Sequence, residues 1–161
     1  MDEFAETLAE LAELGGEGQI DHKDDHERWR LYSNTLANLD DLRLRLLFQA
    51  VGWEDDPAIA LSVVLRVLEV IPTADRTSWI HRLADDRSRD YASARAHDIS
   101  ILESLTEPSM DVEPGYVEQE WSEWLQIRLA TLSRDARILT HLANSGSTKR
   151  IRRTASEHLG K

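Results

Sequence analysis

The stretch Asp21-His22-Lys23-Asp24-Asp25-His26 carries the residue types of a divalent-metal site. On a helix, His22 and His26 fall one turn apart and could share an ion with a carboxylate. A zinc hydrolase of the HExxH type needs a Glu beside the first His to act as base, and no Glu stands there. The same residues make a solvated acidic helix start, which is the reading taken, with no metal assigned. Ser145-Gly146-Ser147-Thr148-Lys149 holds the residue types of a phosphate loop. Their order is wrong for a Walker motif and no strand precedes them, so Ser147 or Thr148 is read as a helix cap. The chain has no cysteine, which removes disulfides, thiolate metal sites and cysteine nucleophiles. Its six His and its Ser residues are too scattered to define a triad or an acid–base pair. The pairs Asp24-Asp25, Asp40-Asp41 and Asp85-Asp86 sit at helix starts or turns, where capping accounts for them. The sequence is therefore read as non-enzymatic, with no cofactor.

Binding is better represented than catalysis. Lys149, Arg150, Arg152 and Arg153 concentrate positive charge near the end of a chain whose net charge is −11. Residues 145–161 hold five basic side chains and one acidic, whereas residues 1–27 hold ten acidic and one basic. The basic cluster could meet a phosphate-bearing partner, since a helix start also favours anions. It could instead dock the acidic N-terminal segment, in the same or a neighbouring molecule, or remain a solvated face with local ion pairs. Trp121 and Trp124 are further partner-binding candidates, because Trp and Arg dominate interface hot spots. Their spacing with Val117 and Leu125 is equally that of a core stripe. The overall negative charge disfavours nucleic acid as a partner.

The elements that position these residues are all helical. Helix is expected over 2–14, with Phe4, Leu8, Leu11 and Leu14 on one face, ended by Gly15-Gly16-Glu17-Gly18 as a linker. Further helices are expected over 22–39 and 42–51, the second ended by Gly52. Asp56-Pro57 is a cap followed by Pro at the first helical position. It opens a helix over 58–71 that is apolar on nearly every side and therefore central. A short helix holding Trp79, Ile80 and Leu83 follows Pro72, then a longer one over 88–105. Pro108, Pro114 and Gly115 mark 106–115 as a loop. Helices over 116–132, 135–143 and 148–159 complete the chain. The fold class is all-α, with eight or nine helices in antiparallel pairs. Residues 1–20 read as an acidic helix plus Gly-rich linker and residues 21–161 as a single helical domain.

Two stretches look like copies of one another at an offset of 59, with Leu83/Leu142, Ala84/Ala143, Ser88/Ser147 and Ala96/Ala155 identical. The second copy ends in Ile151-Arg152-Arg153-Thr154-Ala155-Ser156-Glu157-His158-Leu159-Gly160. This resembles the second helix of a HEAT-type repeat, whose pattern is an aliphatic residue, Arg, two variable positions, Ala, three variable positions and Leu-Gly. The segment from Asp56 to Leu68 resembles a more distant copy. The family's turn aspartate would fall at Gly146, which departs from the pattern and leaves open a regular HEAT-like repeat or an irregular helical bundle. The resemblance implies a protein-binding scaffold or adaptor. An acidic immunity or inhibitor protein, covering a basic active site or mimicking nucleic acid, is the second reading. Nucleic-acid binding through the final helix is the third. No run of apolar residues is long enough to span a membrane. Met1-Asp2-Glu3-Phe4 lacks the charge and apolar core of a secretory signal, so a cytoplasmic location is expected. The polarised charge allows self-association without selecting it over a monomer.

Overall fold

The computed structural model describes residues 2–106 and 121–160. Among them there are nine α-helices and no strand: α1 Glu3–Gly15, α2 Asp25–Ala37, α3 Asp41–Trp53, α4 Pro57–Leu68, α5 Thr73–His81, α6 Asp86–Thr106, α7 Glu123–Leu132, α8 Ala136–Ser145 and α9 Lys149–Leu159. The all-α class is as the periodicity requires. No helix among the described residues is long and apolar enough to cross a membrane. Of the loop expected over 106–115, Thr106 instead ends α6; residues 107–115, and the expected helical stretch 116–120 with Val117, lie outside the described residues. The chain divides into two compact units, residues 1–96 and 97–161, with the division falling inside α6.

In the first unit the helix starts are fixed by aspartates. Asp24, Asp40 and Asp56 each accept hydrogen bonds from backbone N–H groups of the first turn. These are donors that the helix itself cannot satisfy. α1 ends on Gly16 in the left-handed region, φ 69°. The Gly16 and Glu17 N–H groups return to the Glu13 and Ala12 carbonyls, a closure that a residue with a Cβ adopts only at a cost. α1 is not a detached tail: it packs on α2 and α3 and buries Leu8, Leu11 and Ala12. Arg43 of α3 donates to the Leu14 carbonyl at 2.7 Å, supplying a cation at the negative end of α1.

α4 is central to this unit, contacting α2, α3 and α5, and Val63, Val64, Val67 and Leu68 are fully buried. It stops at Leu68, three residues short of the expected end, and Val70 lies exposed beyond it. The reason is Arg76, a buried guanidinium that donates to the Leu68 and Ile71 carbonyls. It closes the helix with a charge-assisted cap. Gly52, expected to terminate α3, lies within it. A Cβ at Gly52 would stand 2.9 Å from Cζ of Arg82. That guanidinium lies over the Phe48 ring, donates to the Phe48 carbonyl, and Phe48 in turn meets Trp79 edge to face. The glycine makes room for this stack instead of ending a helix.

The second unit is built from the end of α6 with α7, α8 and α9. Leu125, Leu129, Ile138, Leu142, Ile151 and Ala155 form its core, against which Ile101, Leu102 and Leu105 pack. α7 starts at Glu123, capped by Ser122, so Trp121 precedes the helix instead of lying on its stripe. The helix starts show an interval different from the one identity suggested. Thr73 to Ala136 and Asp86 to Lys149 are each 63 positions apart. Ala155 thus corresponds to Ala92, both fully buried, and not to half-buried Ala96. The difference from 59 is about one helical turn, a slip that keeps every residue on the same face and is therefore invisible to pattern matching.

Candidate functional site

Of the residues expected to bind a partner, Trp121, Trp124, Lys149, Arg150, Arg152 and Arg153, all fall in the second unit. Their environments differ sharply. Trp121 is 7% exposed, part of the core, edge-on to the His141 ring, and its indole Nε1 has no hydrogen-bond partner among the described residues. Trp124 is half-buried against the same core, with the Arg128 guanidinium over its ring. Arg152 is half-buried and donates to the Gly146 carbonyl across the α8–α9 turn. Lys149, Arg150 and Arg153 are exposed. Arg153 pairs with Glu157 one turn on, at 3.4 Å, while no ion pair engages Lys149 or Arg150 among the described residues. The structure thus separates the six: two packed aromatics, one arginine tied to its own turn, and a basic outward face of three.

The turn explains the departure at Gly146. A Cβ there would lie 2.6 Å from the Leu142 carbonyl oxygen and 2.7 Å from Cγ2 of Ile151. No side chain fits, aspartate included, and Arg152 takes the turn's carbonyl instead. Thr148 caps α9 by accepting from the Ile151 N–H, and the Ser147 N–H donates to Oε1 of Gln126. Two backbone donors of the phosphate-like sequence, those of Gly146 and Ser147, are thereby engaged within the protein.

The acidic stretch is also resolved by its geometry. α2 starts at Asp25, so His22 lies outside it and is not one helical turn from His26. His22 faces Asp2 at 3.8 Å. Among the described residues no group of three or more His, Asp or Glu is placed to hold a metal ion.

Sequence reasoning missed two features. The first is a buried ionic network in the first unit. Arg28 is 2% exposed and donates from Nε and Nη2 to Glu54, whose side chain is fully buried. Nη2 also reaches Asp25 at 2.7 Å and Asp55 at 3.2 Å, and Nη1 donates to the His22 carbonyl. The Tyr32 hydroxyl donates to Oε2 of Glu54 at 3.0 Å, and the Asp56 N–H donates to Oε1. Burial alone would lower the Arg28 pKa, but the hydrogen bonds and charges of Glu54 and Asp25 outweigh it and hold the pKa above the ordinary value. Burial, then the Glu54 carboxylate, push the Tyr32 phenol far above its usual range. Tyr32 therefore stays a neutral donor. No sequence signal joins Arg28 to Glu54, which are 26 positions apart.

The second feature is the outward face of α1. Glu3, Glu6, Glu10 and Glu13 are all exposed, at helical spacings of three and four, opposite the buried Leu8 and Leu11. None is ion-paired among the described residues. Beside them runs a groove lined by Ala5, Ala9 and Ala12 of α1 and by Glu13, Glu17 and Ile20. This stripe is legible in the spacing of the glutamates.

Comparison with family models, with curated proteins and with solved structures found no match.

Proposed function

We propose that this chain is a non-enzymatic helical protein-binding module, a scaffold or adaptor that recognises its partner by charge. The observation that carries this reading is the pair of outward faces of like charge on which, among the described residues, only Arg153 has an ion-pair partner, Glu157 on its own helix. One is acidic, on α1; the other is basic, on α9. Like charges one turn apart repel each other, and a complementary surface relieves that repulsion. The resemblance of α9 to the second helix of a HEAT-type repeat points the same way. The test is capture from an extract of the source cells with the tagged full chain, at low and high salt. It compares the wild type with Glu6→Gln/Glu10→Gln and Lys149→Gln/Arg150→Gln. A protein retained by the wild type at low salt and lost from one variant is expected. The same set retained by all three chains, or nucleic acid retained in place of protein, would overturn the proposal.

One observation favours the second reading, an acidic inhibitor. Asp25 and Asp55 converge on the same nitrogen of Arg28 while their own side chains remain 63% and 86% exposed. The negative surface thus extends from the 21–27 stretch to the α3–α4 turn. Loss of a basic protein from the Glu6→Gln/Glu10→Gln variant alone would select that reading.

A further inference from the structure

The basic face of α9 and the acidic face of α1 are complementary in sign and in spacing, and we infer that the α9 face of one molecule docks on the α1 face of a second copy of this chain. The inference rests on the charge-recognition reading above and names the partner. Glu6 and Glu10 stand one turn apart on α1, as Lys149 and Arg153 do on α9, about 6 Å along the axis in each case. Glu3 and Glu13 extend the acidic row beyond both ends of that register, Arg150 adds a third cation to the basic one, and Arg153 has only an exposed pair with Glu157 to share, which is weak. All of these side chains are exposed, on helices whose opposite faces are buried, so neither helix has to move to present them.

The groove beside the glutamates supplies more than charge. Its alanine floor leaves room for the methylene stems of Lys and Arg, whose heads then reach Glu13 and the α1 row. Pairs of this kind on an exposed rim are individually weak and strongly screened, so the association is a low-salt property. The two faces belong to different helices. The contact is therefore heterologous: each molecule offers one face of each sign, so association either closes into a ring or continues head to tail.

The experiment is sedimentation velocity on the purified full chain across a concentration series, at about 20 mM and about 300 mM salt. At low salt the average mass is expected to rise with concentration above the 18.4 kDa of one chain, and to return to it at high salt. Glu6→Gln/Glu10→Gln and Lys149→Gln/Arg153→Gln should each lose association at least tenfold. Mixed in equal amounts, the two variants should form a one-to-one pair that grows no further, because each retains a single working face. All four substitutions are at exposed positions, and circular dichroism is the check that the helices persist. A wild type that is monomeric at every concentration in low salt would overturn the inference, as would a cis contact, which shows no concentration dependence. Variants that associate like the wild type, or a mixture that stays monomeric, would overturn it too. A wild type that binds a short DNA duplex but not itself would assign the α9 face to phosphate instead. If self-association fails while a foreign protein is still captured in the charge-dependent way described above, only the identity of the partner falls. If both fail, the charge-recognition reading falls with it.

Discussion

At the residue scale the most consequential position is Arg28, a buried cation whose partners lie on two stretches of chain, 22–25 and 54–55. Breaking a buried pair from one side leaves an uncompensated charge, which costs about 3–5 kcal/mol. Glu54→Ala and Arg28→Met are each expected to destabilise by that amount in urea unfolding. The double variant should lose clearly less than their sum, because the second change removes the charge the first one orphaned. Additive losses would show that the two side chains do not act as a unit. Tyr32 shares this site, and its raised pKa has a direction that can be checked. Unfolded tyrosine ionises near pH ~10, whereas folded Tyr32 resists. Its contribution is present below that pH and lost as pH rises towards its folded value.

At the element scale the helix caps set the behaviour in acid. Backbone N–H donation, from Arg43 to Asp40 and from Ser88 to Asp85, lowers the pKa of each aspartate; at Asp135 the leading cause is the Arg137 side chain. A lowered folded pKa means stability that is present above the unfolded value of about 3.9 and lost as pH falls through the folded one. Asp85→Asn keeps a capping oxygen but has no charge to lose. It should flatten that acid limb while leaving stability near neutrality close to that of the wild type. Urea midpoints followed from pH 7 to about pH 2 would check it. Packing between elements is tested by Ala155→Leu, where a fully buried alanine has no room for a larger side chain. A loss of about 1–3 kcal/mol is expected in the same assay, and an unchanged midpoint would mean that α9 does not pack through Ala155. These elements were readable because Asp-Pro, the helical spacing of leucines and the breaks at Gly15-Gly16 and Pro72 are local signals. The end of α4, the role of Gly52 and the 63-residue interval were not. The first two depend on a contact from another element, Arg76 or Arg82, and the third differs from the identity-based offset by about one turn, which leaves the helical face unchanged.

At the scale of the whole molecule the net charge of −11 is concentrated, not spread. With Glu3, Glu6, Glu10 and Glu13 along one helix and no ion pair to them among the described residues, α1 is held to its unit by its apolar face against mutual repulsion. Glu6→Gln/Glu10→Gln is expected to raise the melting temperature at low salt by about 2–4 °C, corresponding to roughly 0.5–1 kcal/mol. Added salt should narrow the gap by screening the wild type; a gap that does not respond to salt would point to a cause other than charge. The candidate surfaces were partly legible: the basic cluster stands out in one dimension, but burial of Trp121 and the tethering of Arg152 appear only once α7, α8 and α9 are assembled. Arg28 has a last consequence, in time instead of energy. The stretch from His22 to Asp24 lies outside regular structure, and such segments ordinarily exchange their amide hydrogens quickly. Here its carbonyl at His22 is fastened to a buried guanidinium, and the Asp56 amide is fastened to the carboxylate on the other side of that guanidinium. The Asp56 amide should therefore trade its proton for deuterium on the slow clock of the whole first unit. With Arg28→Met it should fall to the fast clock of a loop that opens alone.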